Sequence, residues 1–119
     1  MKSHKDLDVW QAAVNLATQV YKLTTKYPKE EIYGLVSQMR RSSISIASNI
    51  AEGAARASNK EFIQFLYIAL GSASELDTQI EISKQIGYSQ KGLDKIQEQL
   101  TIISKMIQGL IRSVKAKNK

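Results

Sequence analysis

Glu75, Asp77 and Glu81 form the largest acidic cluster of the chain, and Glu30–Glu31 is a second pair. Paired carboxylates can divide acid and base roles when their surroundings push their pKa values apart. Here no nucleophile, cation or histidine stands at matching spacing, so these acids read as solvated or paired surface groups. The single histidine, His4, lies in a segment expected to fray. No His, Cys, Asp or Glu set has metal-ligand spacing. The repeated Glu-x-x-His of di-iron bundles is missing as well. "GLVSQ" around Ser37 lacks the second glycine of a nucleophile elbow and falls in a helical pattern. No Gly-rich phosphate loop occurs. The expectation is a chain with no catalytic residue, no metal and no cofactor, and not an enzyme.

Basic residues are the stronger chemical signal. The net charge is +6, and it is concentrated at the end: residues 89–119 hold seven Lys or Arg against two acids. Lys91, Lys95, Lys105, Arg112, Lys115 and Lys117 are the candidates for nucleic-acid binding, because clustered cations attract phosphate backbones. Lysines also suit helix C-termini and solubility. No aromatic residues interleave with these cations, so no base-stacking platform is expected. Binding would be directed at the backbone and sensitive to salt.

Four elements must position these groups. With 119 residues the chain fits one domain, residues 1–119, with frayed ends at 1–5 and 116–119. It has no cysteine, which permits a reducing compartment. "MKSHKDLDVW" has no apolar signal-peptide core, and no apolar run reaches the roughly 20 residues of a membrane span. A cytoplasmic protein without membrane contact is expected. Val9, Ala13, Leu16, Val20 and Leu23 step by three and four, with Trp10, Val14, Ala17 and Tyr21 beside them, giving a helix over about 8–27. Asp6 or Asp8 would cap it, and Pro28 ends it. Ile32, Leu35, Val36, Met39, Ser43, Ile46 and Ile50 mark a second helix over about 31–56. "SNKE" at Ser58–Glu61 reads as a capping box. The third helix, about 59–86, carries Phe62, Phe65, Leu66, Ala69, Ala73, Leu76 and Ile80, with Gly87 beyond its end. Leu93, Ile96, Leu100, Ile103, Ile107, Leu110 and Val114 mark a fourth over about 90–115. Together these predict an all-α, antiparallel up-down-up-down four-helix bundle.

"RRSSISIASNIAEGAAR", Arg40–Arg56, is built mostly of small side chains. On a helical wheel its solvent side carries Arg41, Ser45, Ser48, Glu52 and Ala55, flanked by Ile44. An ordinary solvated face would be rich in Lys and Glu. The third helix has a matching oddity: Ile63, Tyr67, Leu70, Gly71 and Ser74 lie opposite its core stripe. Mid-helix glycine costs about 1 kcal/mol relative to alanine, and close approach of another backbone would account for it. These faces predict a homo-oligomer interface. Antiparallel register sets Arg40 level with Glu75 and Asp77, so Arg40 or Arg41 is expected to pair with one of them. The wheel does not choose between them, because bundle handedness is open. Glu52 and Arg56 form a favourable i,i+4 pair.

"DLDVWQAAVNLATQVYKLT", "YPKEEIYGLVSQMRRSSISIASNIAEGAAR" and "SNKEFIQFLYIALGSASELDTQI", in that order, resemble the four-helix-bundle family of 23S ribosomal-RNA intervening-sequence proteins. The resemblance covers residues 5–90 closely and the fourth helix by pattern. It implies a small bacterial protein, often encoded near inserted or mobile elements, whose bundle assembles into rings, pentameric in some members. It also implies kinship with the accessory variability protein of diversity-generating retroelements, a basic ring that engages reverse transcriptase and nucleic acid. No catalytic residue follows from it. Arg40, Arg41, Glu52, Gly53, Arg56, Glu61 and Glu75 match the family's polar signature and would be structural or interface residues. Ala47 stands where the family often has proline, so a straighter second helix is expected. Five copies at +6 each would carry about +30, a strong pull on polyanions. The partners expected are thus further copies of the chain, with RNA, DNA or a nucleic-acid-processing protein. The alternative is an oligomer that recruits a protein and binds no nucleic acid.

Overall fold

The structure, a computed structural model, describes residues 3–117. Among them are four long helices and no strand. Helix α1 spans Asp8–Thr24, α2 Ser37–Ala54, α3 Asn59–Ile86 and α4 Gln90–Lys117. They form an all-α four-helix bundle measuring 49 × 20 × 19 Å. Helix α2 joins α3 through Ser45 and Ser72, and α3 joins α4 through Lys84 and Asp94. Arg40 of α2 reaches Thr24 of α1, and Gly92 of α4 lies against Leu23 of α1. Ser45 and Ser72 join the middles of their helices, while in the other three pairs the early part of one helix meets the late part of the other.

The core follows the apolar spacing. Val9, Ala13, Leu16, Val20 and Leu23 of α1 are buried, as are Leu66, Ala69, Ala73, Leu76 and Ile80 of α3. In α4, Leu93 through Ile107 hold their expected places, but Ile111 enters the core and Leu110 is only half-buried. A 3.6-residue helix drifts against a fixed three-four spacing, and over so long a helix the drift moves the stripe by one position.

The start of the second helix departs most from expectation. Lys29–Glu31 form a 3-10 turn and Ile32–Val36 a π turn, with Gly34 at φ −115° and ψ −113°, outside the helical region. Ile32, expected in the core, is therefore 49% exposed. The interruption resets the helical phase, so residues before it do not extend the buried face of Met39, Ser43, Ile46 and Ile50. α2 runs unbroken through Ala47; the irregularity lies at Gly34 instead. Helix α1 also ends early, at Thr24, and Tyr27 is buried in the connection with its ring 4.7 Å from that of Tyr88.

Caps explain several ends. The N-cap position of α1 is Leu7, which gives no side-chain cap, so neither Asp6 nor Asp8 caps this helix. Asp6 instead accepts the Ser3 N–H at 3.2 Å, closing a capped turn over His4–Asp6. His4 packs edge-on against Trp10, at 4.9 Å between ring centres. Of the ends expected to fray, residues 3–5 thus take part in a capped turn, 116–117 continue α4, and 1–2 and 118–119 lie outside the described residues. Ser58 accepts the Glu61 N–H at 3.2 Å. The Glu61 carboxylate takes the Ser58 hydroxyl rather than its N–H, so only half of the reciprocal box joins backbone. Gly87 ends α3 at φ +105°, a left-handed conformation that favours glycine.

Candidate functional site

The basic residues of α4 do not form one surface. Lys91, Lys95, Lys105 and Arg112 recur at helical spacing along one exposed side, with Glu98 and exposed Ile102 between them. Among the described residues none of these four is in an ion pair. Lys115 turns to α3, where its ammonium donates to the Tyr67 hydroxyl at 3.0 Å and lies 5.4 Å from that ring's centre. Lys117 borders a separate groove with Arg56, Ser58 and Asn59 at the start of α3. Sequence spacing allowed six cations together; the helix wheel in three dimensions leaves four.

The surfaces expected to meet a second copy divide in the same way. Arg41, Ile44, Ser48 and Glu52 of α2 and Ala55 just beyond its end are exposed, as are Tyr67, Gly71 and Ser74 of α3. A Cβ added at Gly71 would meet nothing within 4 Å, so this glycine faces outward. Ser45 is instead committed inside the chain, bonded to the Ser72 hydroxyl at 2.8 Å. Ile63 and Leu70 are partly buried against the core. The close helix approach sits at Gly53, where a Cβ would stand 2.7 Å from Phe65 Cβ. Glycine there admits α3, a role the sequence hid because Gly53 reads as part of a small-residue run.

The charge pairs also resolve. Arg56 donates to Glu52 at 2.8 Å and lies over the Phe65 ring. The pairing expected of Arg40 with α3 is corrected: Arg40 points to α1, donating to the Thr24 hydroxyl at 3.0 Å, with its guanidinium 4.4 Å from the centre of the Tyr21 ring. Asp77 likewise faces α4, accepting from Gln97 at 2.9 Å. Bundle handedness, which wheels leave open, puts position 40 on the α1 flank of α2 and position 77 on the α4 flank of α3. Arg41 and Glu75 border the same α2–α3 cleft but form no ion pair.

Two concavities follow from these placements. Between α1 and α2 runs an apolar groove of about 540 Å³, lined by Trp10, Val14, Ala17, Tyr21, Ile44, Ala47 and Ala51. Of the second apolar stripe of α1, expected to widen the core face, Val14 and Tyr21 are exposed while Trp10 packs partly against the core. Sequence periodicity could not separate the two stripes, because both have helical spacing. Beyond the groove, on the turn ahead of α2, Tyr33 is 97% exposed. Between α2 and α3 lies a cleft of about 500 Å³ whose walls are all polar: Gln38, Arg41, Ser42, Ser45, Ser72, Glu75 and Gln79. Among the described residues no group of three acidic or histidine side chains could hold a metal ion. Among the same residues no helix is long and apolar enough to cross a membrane.

A family model described as 23S rRNA-intervening sequence protein matches residues 5–109. A solved structure from Bacteroides thetaiotaomicron VPI-5482, a protein of unknown function from the S23 ribosomal protein family, is similar at 25% identity and a TM-score of 0.81. The match covers 87% of this chain and 95% of that one. No curated protein matches the sequence.

Proposed function

The chain belongs to the 23S rRNA-intervening sequence protein family, and on that premise we propose that it is a non-catalytic bundle that self-assembles and binds the phosphate backbone of RNA or DNA through α4. The observation that supports this most is the row of Lys91, Lys95, Lys105 and Arg112, exposed and without ion-pair partners. Unneutralised cations in a row release counterions from a polyanion on contact, and this gives affinity without base readout. Symmetric assembly into a ring, with five copies as the expected number, would multiply the field of each face. The site of action in this reading is the cytoplasm, and no cofactor takes part.

Fluorescence anisotropy with labelled RNA and DNA across a salt series tests the proposal. Affinity at low salt should fall linearly on a log–log plot, with a slope near −0.9 per phosphate contacted on duplex DNA. A Lys91→Glu, Lys95→Glu, Arg112→Glu variant should lose most of it. Absence of binding at low salt, or binding indifferent to salt, would sink the idea. A second reading, a purely structural oligomer that recruits a protein, is favoured by the apolar α1–α2 groove. An assembled particle that ignores nucleic acid at every salt concentration would select it.

A further inference from the structure

The α2–α3 cleft is unusual for a helix–helix seam. Away from the core that α2 and α3 share, the solvent side of their seam opens into a cleft lined by seven polar residues. Burying polar groups costs free energy unless they are paired. One of them is not: Gln79 is 8% exposed, and its Oε1 has no hydrogen-bond partner. The terminal torsion of glutamine is broad and the amide O and N positions are interchangeable, so this amide can present its oxygen to the cleft. Ser42 and Ser72 are buried beside it. At the rim stand Arg41 and Glu75, opposite charges from opposite helices. The Ser45–Ser72 bond fixes their register: one turn along each helix from that bond, Arg41 and Glu75 stand level across the opening. Neither is in an ion pair.

We propose that this cleft binds a small zwitterion, a free α-amino acid with a small or polar side chain. The chemistry matches group by group. A guanidinium fork at Arg41 suits a carboxylate. An ammonium has three donors and no acceptor, and Glu75, the Gln79 oxygen and a serine hydroxyl offer it three acceptors. No aromatic or apolar wall is available to cover a flat base, so a nucleotide would find no stacking surface. The inference stands apart from nucleic-acid binding, since none of its residues lies on α4.

Titrations of the full chain followed by amide NMR would test it, using glycine, L-serine and L-glutamine. Ethanolamine, acetate and guanosine monophosphate serve as controls. The amino acids should give saturable shifts at Ser42, Ser45, Ser72 and the Gln79 side-chain amide, while ethanolamine and acetate give none. Arg41→Gln and Glu75→Gln lie at the rim, where folding is kept, and each should weaken binding about tenfold, as loss of a charge-assisted hydrogen bond does. Gln79→Leu should abolish it. No saturable shift up to about 1 mM, a range that marks even weak sites, would overturn the proposal and leave a water-filled cleft. Equal shifts with the nucleotide, or rim variants that bind as the unaltered chain does, would overturn it too.

Discussion

Two glycines of similar appearance in the sequence have opposite physical roles. Gly53 is buried where a Cβ would meet Phe65 at 2.7 Å and Phe62 at 3.0 Å. Gly53→Ala should lower stability by about 2 kcal/mol, because overpacking outweighs the gain in helix propensity. Gly71 opens to free space, so Gly71→Ala should raise stability by up to about 1 kcal/mol. Urea midpoints of the two variants should move in opposite directions; a shared direction would contradict this assignment. A bulkier Gly71→Leu should break assembly while keeping helicity, seen by light scattering alongside circular dichroism. Tyr88 at the α3–α4 turn and Tyr27, whose ring meets it from the α1–α2 connection, give a pH signature. The Tyr88 hydroxyl donates to Glu31 at 2.8 Å, which raises its pKa above the usual value of about 10. Burial raises that of Tyr27. The folded chain therefore holds these protons after the unfolded chain has released them. The stability they contribute is full below pH 10 and is lost as pH rises through the raised values. Urea midpoints between pH 8 and pH 11 should fall, and less steeply for Tyr88→Phe; identical slopes would remove the Tyr88–Glu31 bond as their source.

At the level of elements, local signals set the helix ends and the core stripes. Gly87 adopts φ +105°, so Gly87→Ala should cost about 1 kcal/mol. Thermal unfolding would read this directly, and an unchanged midpoint would mean that the turn relaxes. Helix α2 is the element that local rules mark least well. The spacing of Ile32, Leu35 and Val36 fits helical continuation, yet the backbone breaks phase at Gly34. Burial of Tyr27 against Tyr88 and the Tyr88–Glu31 bond tie this connection to the far end of α3. These contacts span some sixty positions of sequence, beyond the reach of any periodicity.

The bundle as a whole divides its surface among three chemistries: cations on α4, an apolar groove between α1 and α2, and a polar cleft between α2 and α3. A self-associating chain should scatter light as a multiple of 13.3 kDa at micromolar concentration. Ile44→Glu, placed in the apolar groove, should push the particle toward monomer if that groove is the contact. A clean monomer of the unaltered chain would refute assembly. The α4 cations line neither the groove nor the α2–α3 cleft, so nucleic-acid binding can be separated experimentally from both.

Periodicity, one proline, a capping serine and a positive-φ glycine were enough to determine an all-α chain of four helices and most of its core, because apolar spacing and caps act within a few residues. The small side chains of Arg40–Arg56 pointed to a second copy, and the close helix approach at Gly53 emerged only in the packed bundle. Which flank of each helix faces which neighbour was decided only in three dimensions. Arg40 went to Tyr21 and Thr24 rather than to α3, and Asp77 went to Gln97. Val14 and Tyr21 turned outward. A wheel gives angles about one helix axis, whereas handedness, helix phase after Gly34 and the joining of side chains into clefts depend on how four axes pack together.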